Sequence, residues 1–260
     1  METPLNDVEL QRSKHRGFSV WSRPSIEVDD VLTAIQEPGD ILKESPKAIT
    51  WRTGPWVIKE SGGGPRIAMK QILAGKQRRL AFDAALFFEK QNIPAARAVA
   101  YVEQSVAGLT YQSWTVTKYL DGGVDVEAFL DQMIQNKAKN ADIKRYLAGI
   151  ASAVNALVNT GAQHRDLAGK NILTNDGETF HFIDLDAVVI GRGYSDEDRI
   201  KNHVQLYDSF CDQINDTYLE PFIAAMGTTT ENIAMYMGAI KKAQQRRRAR
   251  TEAIWGREGK

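Results

Sequence analysis

Eight residues, HRDLAGKN from His164 to Asn171, carry the most suggestive chemical spacing in the chain. An aspartate and an amide, Asp166 and Asn171, lie five apart, and a second aspartate, Asp184, follows thirteen residues later within IDLD. Asn171 and Asp184 together suit magnesium, a hard ion that keeps several waters and takes few protein ligands. Asp166 beside them could orient an attacking hydroxyl. The chemistry that needs such a set is phosphoryl transfer from ATP, where the protein supplies metal ligands, a cation and a carboxylate rather than covalent steps. A lone aspartate in a loop is more often a turn or cap residue. The reading rests on three residues falling in register, with Asn175-Asp176-Gly177 as a hairpin turn that folds Asp184 back beside Asn171.

The remaining parts of a phosphotransferase can be sought by position. Lys59 ends a strand-like run in WVIK and could reach the phosphates of ATP; the competing reading is an edge-strand lysine facing water. Such a lysine usually has an acidic partner on the next helix. Asp83 shares the apolar face of Leu80 and Phe87 and fills that role, unless it pairs with Arg79 at i, i+4, whereas Glu89 points elsewhere. Lys170 could add a second cation near the transferring phosphate, or be solvated. His164 and Arg165 support the loop rather than react. Asp186 falls on the same side as Asp184 if strand alternation continues. The turn that would cover the phosphates is Ser45-Pro46-Lys47, without glycine, so that backbone amides, the Ser45 hydroxyl and Lys43 or Lys47 would have to serve. The Gly62-Gly63-Gly64 run follows Lys59 and is misplaced for that purpose.

These residues need elements to hold them. Residues 1–37 lack clear periodicity and read as an N-terminal extension, partly helical at most. GDILKES, AITWRT and PWVIKES form a three-stranded meander broken at Ser45-Pro46 and Gly54-Pro55. A helix is expected from about Ile67 to Gln91, ended by Asn92-Ile93-Pro94. AVAYVE and SWTVTKYL read as two further strands turning near Gly108, and Asp121-Gly122-Gly123 as a hinge. KRYLAGIASAVNALVNTG keeps the helical period, with Gly161 placed to end it. From about Ser195 the chain reads as helical to its end. The fold class is therefore α+β: a bilobal, protein-kinase-like arrangement with a small antiparallel sheet lobe carrying one helix (38–117) and a mainly helical lobe (118–260).

The bulk numbers narrow the setting. Thirty-three Lys and Arg balance thirty-three Asp and Glu, so overall charge points to no nucleic acid. One cysteine, Cys211, excludes an internal disulfide framework and suits a reducing compartment. With no signal-peptide core and no membrane-spanning run, the protein is expected to be cytoplasmic. Residues 241–260 carry eight Lys or Arg against two Glu. Such a tail could lie on an anionic membrane surface, although charge runs are usually solvated helix faces.

Taken together, ILKES leading to WVIKES, FFEKQNIPAARAVAYVE, WTVTKYLDG, QHRDLAGKNIL, FIDLDAVVIGRG and DRIKNHVQLYDSF resemble the bacterial lipopolysaccharide kinases of the Kdo/WaaP family over roughly residues 39–210. The resemblance implies a protein-kinase-like fold without a glycine-rich loop or an extended activation segment. It implies ATP-dependent phosphorylation of a sugar hydroxyl, on Kdo or heptose of the lipid A–core oligosaccharide, at the cytoplasmic face of the inner membrane. In it Asp166 would be the catalytic base, Asn171 and Asp184 the magnesium ligands and Lys59 a phosphate ligand; Asp83 has no secure counterpart. Small-molecule kinases of the aminoglycoside or choline type share the HxDxxxxN pattern. A protein kinase would need more chain after Asp184, and a pseudokinase regulator would be marked by loss of Asp166, Asn171 or Asp184, all of which are present.

Overall fold

The computed structural model describes residues 9–15, 17–45, 48–62, 79–106, 109–191, 193–227 and 233–258. The expected turn at Pro46-Lys47, the start of the helix assigned from Ile67 and the turn at Gly108 fall outside these residues. Two compact units divide the chain, 1–121 and 122–260.

The first unit is built on seven antiparallel strands. They are β1 (Gln11–His15), β2 (Phe18–Ser22), β3 (Asp40–Ser45), β4 (Ala48–Thr53), β5 (Trp56–Gly62), β6 (Ala98–Val106) and β7 (Leu109–Lys118). Their order across the sheet is β1-β2-β6-β7-β5-β4-β3. Residues 11–36 are thus more than the extension expected from their sequence. Phe18, Val20 and Ser22 point inward from β2, and helix α1 (Val28–Gln36) lays Val31, Leu32, Ala34 and Ile35 on the sheet. The core there is Trp51, Ile58, Trp114 and Val116 beneath α1, with the Trp51 indole donating to the Ala34 carbonyl at 3.2 Å. Burial of four apolar side chains on α1 is worth several kcal/mol, at about 1.5–3 kcal/mol for each large one.

Helix α2 (Leu80–Lys90) packs on the other face of this sheet, with the Phe82 and Tyr101 rings 5.9 Å apart. Thr115 pairs with both Tyr101 and Lys59 in register, so Lys59 lies on the α2 face of the sheet. Because β5 sits between β7 and β4, Lys59 occupies an interior strand and is half-buried. The edge-strand reading is thereby excluded.

The second unit is mainly helical: α3 (Val126–Gln135), α4 (Asn140–Asn159), α5 (Asp196–Phe210), α6 (Asp216–Ala225) and α7 (Ile233–Glu258). Between α4 and α5 run short strands β9 (Ala162–His164), β10 (Ile172–Thr174), β11 (His181–Phe182) and β12 (Val188–Ile190); β8 (Val124–Asp125) precedes α3. Helix α4 buries Ile143, Leu147, Ile150, Ala151, Val154 and Leu157, the apolar period seen in the sequence, together with Tyr146. It ends as expected, with Gly161 at φ +76° just after the Thr160 cap. Ser195 caps α5 in a reciprocal capping box with Asp198. No helix among the described residues is long and apolar enough to cross a membrane.

Two buried histidines make this unit acid-sensitive. Burial pushes His203 on α5 down to about 4, and its Nδ1 sits 2.6 Å from the Tyr236 hydroxyl on α7. Burial likewise lowers His164, opposed by the Ile183 carbonyl and the charges of Asp166 and Asp184. Each imidazole is favoured neutral in the folded chain, whereas the unfolded chain takes up a proton near pH 6.5. The unfolded state therefore binds more protons below that value, and stability falls as pH falls from about 6.5 towards 4. For His203 the loss across the window is on the order of 3 kcal/mol. Denaturant unfolding at pH 7.5, 6 and 5 should show the decline, and His203→Gln should flatten it; equal slopes in the two proteins would refute this account.

Candidate functional site

The HRDLAGKN loop is held by side chains as well as by backbone bonds. β9 delivers His164, which is fully buried; its Nε2 donates to the Ile183 carbonyl at 2.9 Å and its Nδ1 accepts the Asp166 amide at 3.3 Å. That pair of contacts fixes one neutral tautomer, in line with the lowered pKa. Its role is to shape the loop, as the sequence implied.

The next backbone donors are taken in turn. The Leu167 amide goes to Gln205 Oε1 (3.1 Å), the Gly169 amide to Ser209 Oγ (2.8 Å), the Lys170 amide to Glu127 Oε1 (3.2 Å) and the Asn171 amide to the Ala168 carbonyl (2.9 Å). Buried backbone donors must find partners, and here α5 and the first turn of α3 provide three of them. Glycine at 169 follows from this closeness, because a Cβ there would lie 2.6 Å from Glu127 Cγ.

Asp166 and Asn171 are brought together directly. Asn171 is buried and gives its Nδ2 hydrogens to the Asp166 carbonyl at 2.8 Å and to Asp166 Oδ2 at 3.2 Å. Asp166 Oδ1 accepts Gln205 Nε2 at 3.1 Å. The carboxylate is oriented from both sides, while the Asn171 side-chain oxygen faces away from these bonds.

Asp184 is returned to the same place by the hairpin. β10 and β11 pair antiparallel, Ile172 with Phe182, and the Ile183 amide donates to the Asn171 carbonyl at 2.9 Å. The turn is fixed by Asp176, whose Oδ1 accepts the amides of Glu178 and Thr179; those bonds hold its pKa down to about 2. Asp184 itself adopts a left-handed backbone, φ +56° and ψ +47°. That conformation is uncommon for a residue with a Cβ and is tolerated best by Asp and Asn. The strand has already ended at Phe182, and the chain then turns into a short 3-10 segment, Leu185–Ala187, so strand alternation does not apply to Asp184 and Asp186. Asp186 is exposed and does not continue the face of Asp184, which corrects the expectation from alternation.

Among the described residues, no cluster of three or more His, Cys, Asp or Glu side chains could hold a metal on its own. The neighbouring Asn171 and Asp184 make a sparse oxygen set, which fits a magnesium ion that completes its shell with waters and phosphate oxygens.

The family model described as lipopolysaccharide kinase (Kdo/WaaP) matches residues 81–235, more than half of the chain. The chain belongs to the lipopolysaccharide kinase (Kdo/WaaP) family. Among solved structures it is similar to one titled WaaP in complex with acyl carrier protein, at 18% identity and a TM-score of 0.63. That match covers 84% of this chain and 92% of the other, and it speaks for a shared fold. No curated protein matches the chain.

The other residues singled out from the sequence of this family member lie in the first unit or at the surface. The Ser45 hydroxyl closes the β3–β4 turn, donating to the Ala48 carbonyl at 3.0 Å and accepting the Ala48 amide at 3.1 Å. Asp83 is bound by Arg79 at 2.8 Å on its own helix, the i, i+4 pair that the sequence left open. Glu89 does point elsewhere, to Arg23 and Arg97. The Lys170 side chain is exposed. Sequence reasoning missed Gln205, Ser209 and Glu127. The signal for Gln205 was a polar residue on the buried face of α5 between Val204 and Leu206, where only a partnered side chain is tolerable.

Proposed function

We propose that this chain transfers the γ-phosphoryl group of ATP to a sugar hydroxyl, of Kdo or heptose, in the inner core of lipopolysaccharide. The sheet unit and the helical unit would be the two lobes of a protein-kinase-like fold, working at the cytoplasmic face of the inner membrane. Asp166 accepts the proton of the acceptor hydroxyl as its oxygen bonds to the γ-phosphorus, and ADP leaves. Asn171, through its side-chain oxygen, and Asp184 would hold magnesium, which when bound neutralises charge on the phosphates. Lys59 would bind the phosphates of ATP, and Lys170, exposed on the loop, would add positive charge. The observation that carries this reading is the double orientation of Asp166 by Asn171 and Gln205 in a chain of this family.

A transfer assay with ATP and magnesium tests it, offering lipid A–Kdo, heptosylated core and free sugars in parallel. Phosphate should appear on a core sugar. ATP binding without transfer to any of these acceptors would overturn the reading.

Gln205 is a positioning residue in this scheme. Gln205→Leu leaves the Leu167 amide and Asp166 Oδ1 without their partner, at a stability cost of about 1–3 kcal/mol. Its expected kinetic effect is a fall in kcat of about 10-fold or more, from the misplaced base, with KM for ATP nearly unchanged. A rise in KM for ATP at constant kcat would show that α5 serves nucleotide binding instead.

A further inference from the structure

The basic C-terminal segment folds as helix α7, and its charges divide into two sets. Lys241, Arg247 and Arg248 lie on the flanks of its buried side and bond to Asp216, Asp208 and Asp212. Lys242, Arg246 and Arg250 are exposed and have no ion pair among the described residues.

We infer that this outward face of α7 docks on a bilayer surface that carries anionic lipid. The inference goes beyond the transfer reading: it names the surface of the chain that meets the membrane, and it can be tested without any sugar acceptor.

Helix geometry carries the division. At about 100° per residue, Met237, Ile240 and Gln244 mark the buried side, and Met235, Lys242 and Arg246 fall within about 40° of one another on the side opposite. Arg250 flanks them. Ala239, Ala249 and Ala253 lie exposed between these longer side chains and leave the backbone free to approach a flat surface. No acidic residue occurs between Ile233 and Thr251, and Asp208, Asp212 and Asp216 are already matched by the inward set.

Charge alone would also suit nucleic acid. Met235 decides against it. Its side chain is 73% exposed, on the line of Lys242 and Arg246 and about 10 Å along the helix from Lys242. An exposed, unbranched apolar side chain gains nothing against a phosphate backbone, whereas at a bilayer it enters the boundary between headgroups and acyl chains. Basic and acidic residues balance over the whole chain, which removes the broad positive field that nucleic-acid binding uses. Neighbours among Lys242, Arg246 and Arg250 stand about 6 Å apart along the axis, within the Debye length of about 8 Å at physiological ionic strength, so they act on an anionic leaflet together.

The test measures co-sedimentation of the full chain with vesicles of phosphatidylcholine alone and of phosphatidylcholine with about a third phosphatidylglycerol, at low and high salt, without nucleotide or acceptor. Wild-type protein should bind the anionic vesicles, leave them as salt is raised, and not bind the neutral ones. The triple variant Lys242→Gln, Arg246→Gln, Arg250→Gln should bind anionic vesicles about 20–100-fold less tightly, at about 5-fold for each cation, with melting and ATP affinity unchanged. Met235→Ser should weaken binding about 5-fold and keep the wild-type salt dependence. Should the triple variant melt lower, Ala249→Glu decides, because it adds an acid to the same face and removes no polar contact; it too should cut binding about 5-fold. Binding to anionic vesicles that is unchanged in the triple variant and in Ala249→Glu would overturn the assignment of this face. Equal binding to neutral vesicles would overturn the electrostatic dock. A wild-type chain that ignores anionic vesicles at low salt would overturn the proposal, leaving these cations solvated, or assigned to nucleic acid if the chain is retained on duplex DNA instead. Each of these results leaves the kinase reading standing, because transfer to free sugars tests it separately.

Discussion

Asp166→Ala and Asp184→Ala are each expected to lower phosphate transfer by about 10²–10⁴-fold, the scale of a lost proton acceptor or of lost electrostatic support at the reacting phosphate. The two should fail differently. The Asp166 carboxylate accepts two hydrogen bonds, from Asn171 and from Gln205, and its loss should spare ATP affinity while abolishing turnover. Asp184, in the proposed scheme, is a magnesium ligand, so Asp184→Ala should weaken magnesium-dependent ATP binding as well. Its left-handed backbone offers a control. Asp184→Gly removes the Cβ from a conformation that glycine adopts freely, and it should melt no lower than wild type while remaining inactive. Near-normal transfer in either alanine variant would sink the mechanism.

Much of this site could be read from residue types and spacing because its parts are local. Asp166, Asn171 and Asp184 lie on one loop and one hairpin, where the turn chemistry of Asp176 and Gly177 sets the return of the chain. The same holds for β4, β5 and α4, whose periods and punctuation survive in the folded structure. The parts that could not be read come from far along the chain. Gln205 reaches Asp166 across 39 residues and Ser209 reaches Gly169 across 40, so no window around HRDLAGKN contains them. Residues 11–36 hid for another reason. The inward side of β2 is only Phe18, Val20 and Ser22, short enough to be masked by the charged residues before it, and the strand is made by pairing with β6, where Val20 opposes Val102. Asp186 failed because alternation was carried past the end of β11 at Phe182, through the left-handed Asp184 and into a 3-10 turn.

The basic C-terminal segment gives the second large effect, because several of its charges are engaged in a way that neither reading of that tail anticipated. Lys241 bonds to Asp216, Arg247 and Arg248 both bond to Asp208, and Arg248 also reaches Asp212 at 2.8 Å. Asp208 lies on α5, its carboxylate only 11% exposed, and Gln244 of α7 is buried against it at 2.9 Å. The helix is thus fastened through some of the charges that suggested a membrane contact. Removing residues 241–260 would take away both the counter-charges of Asp208 and side chains that contact it, Gln244 among them. Water would then solvate the carboxylate, so the expected loss, from the half-exposed ion pairs and the packing of α7 on α5 together, is about 2–3 kcal/mol. That is a large part of a typical folding free energy of about 5–15 kcal/mol. The loss should also disturb the loop, because Asp208 is adjacent to Ser209, which holds the Gly169 amide, and one turn from Gln205. The truncated protein should therefore melt well below the full chain and lose turnover together with stability. Asp208→Asn in the full chain should reproduce part of the effect without removing any residue. If the truncation melts normally and only raises the apparent KM for lipid-embedded acceptor, in a way that salt abolishes, the tail is a membrane contact alone and these ion pairs contribute little to the fold.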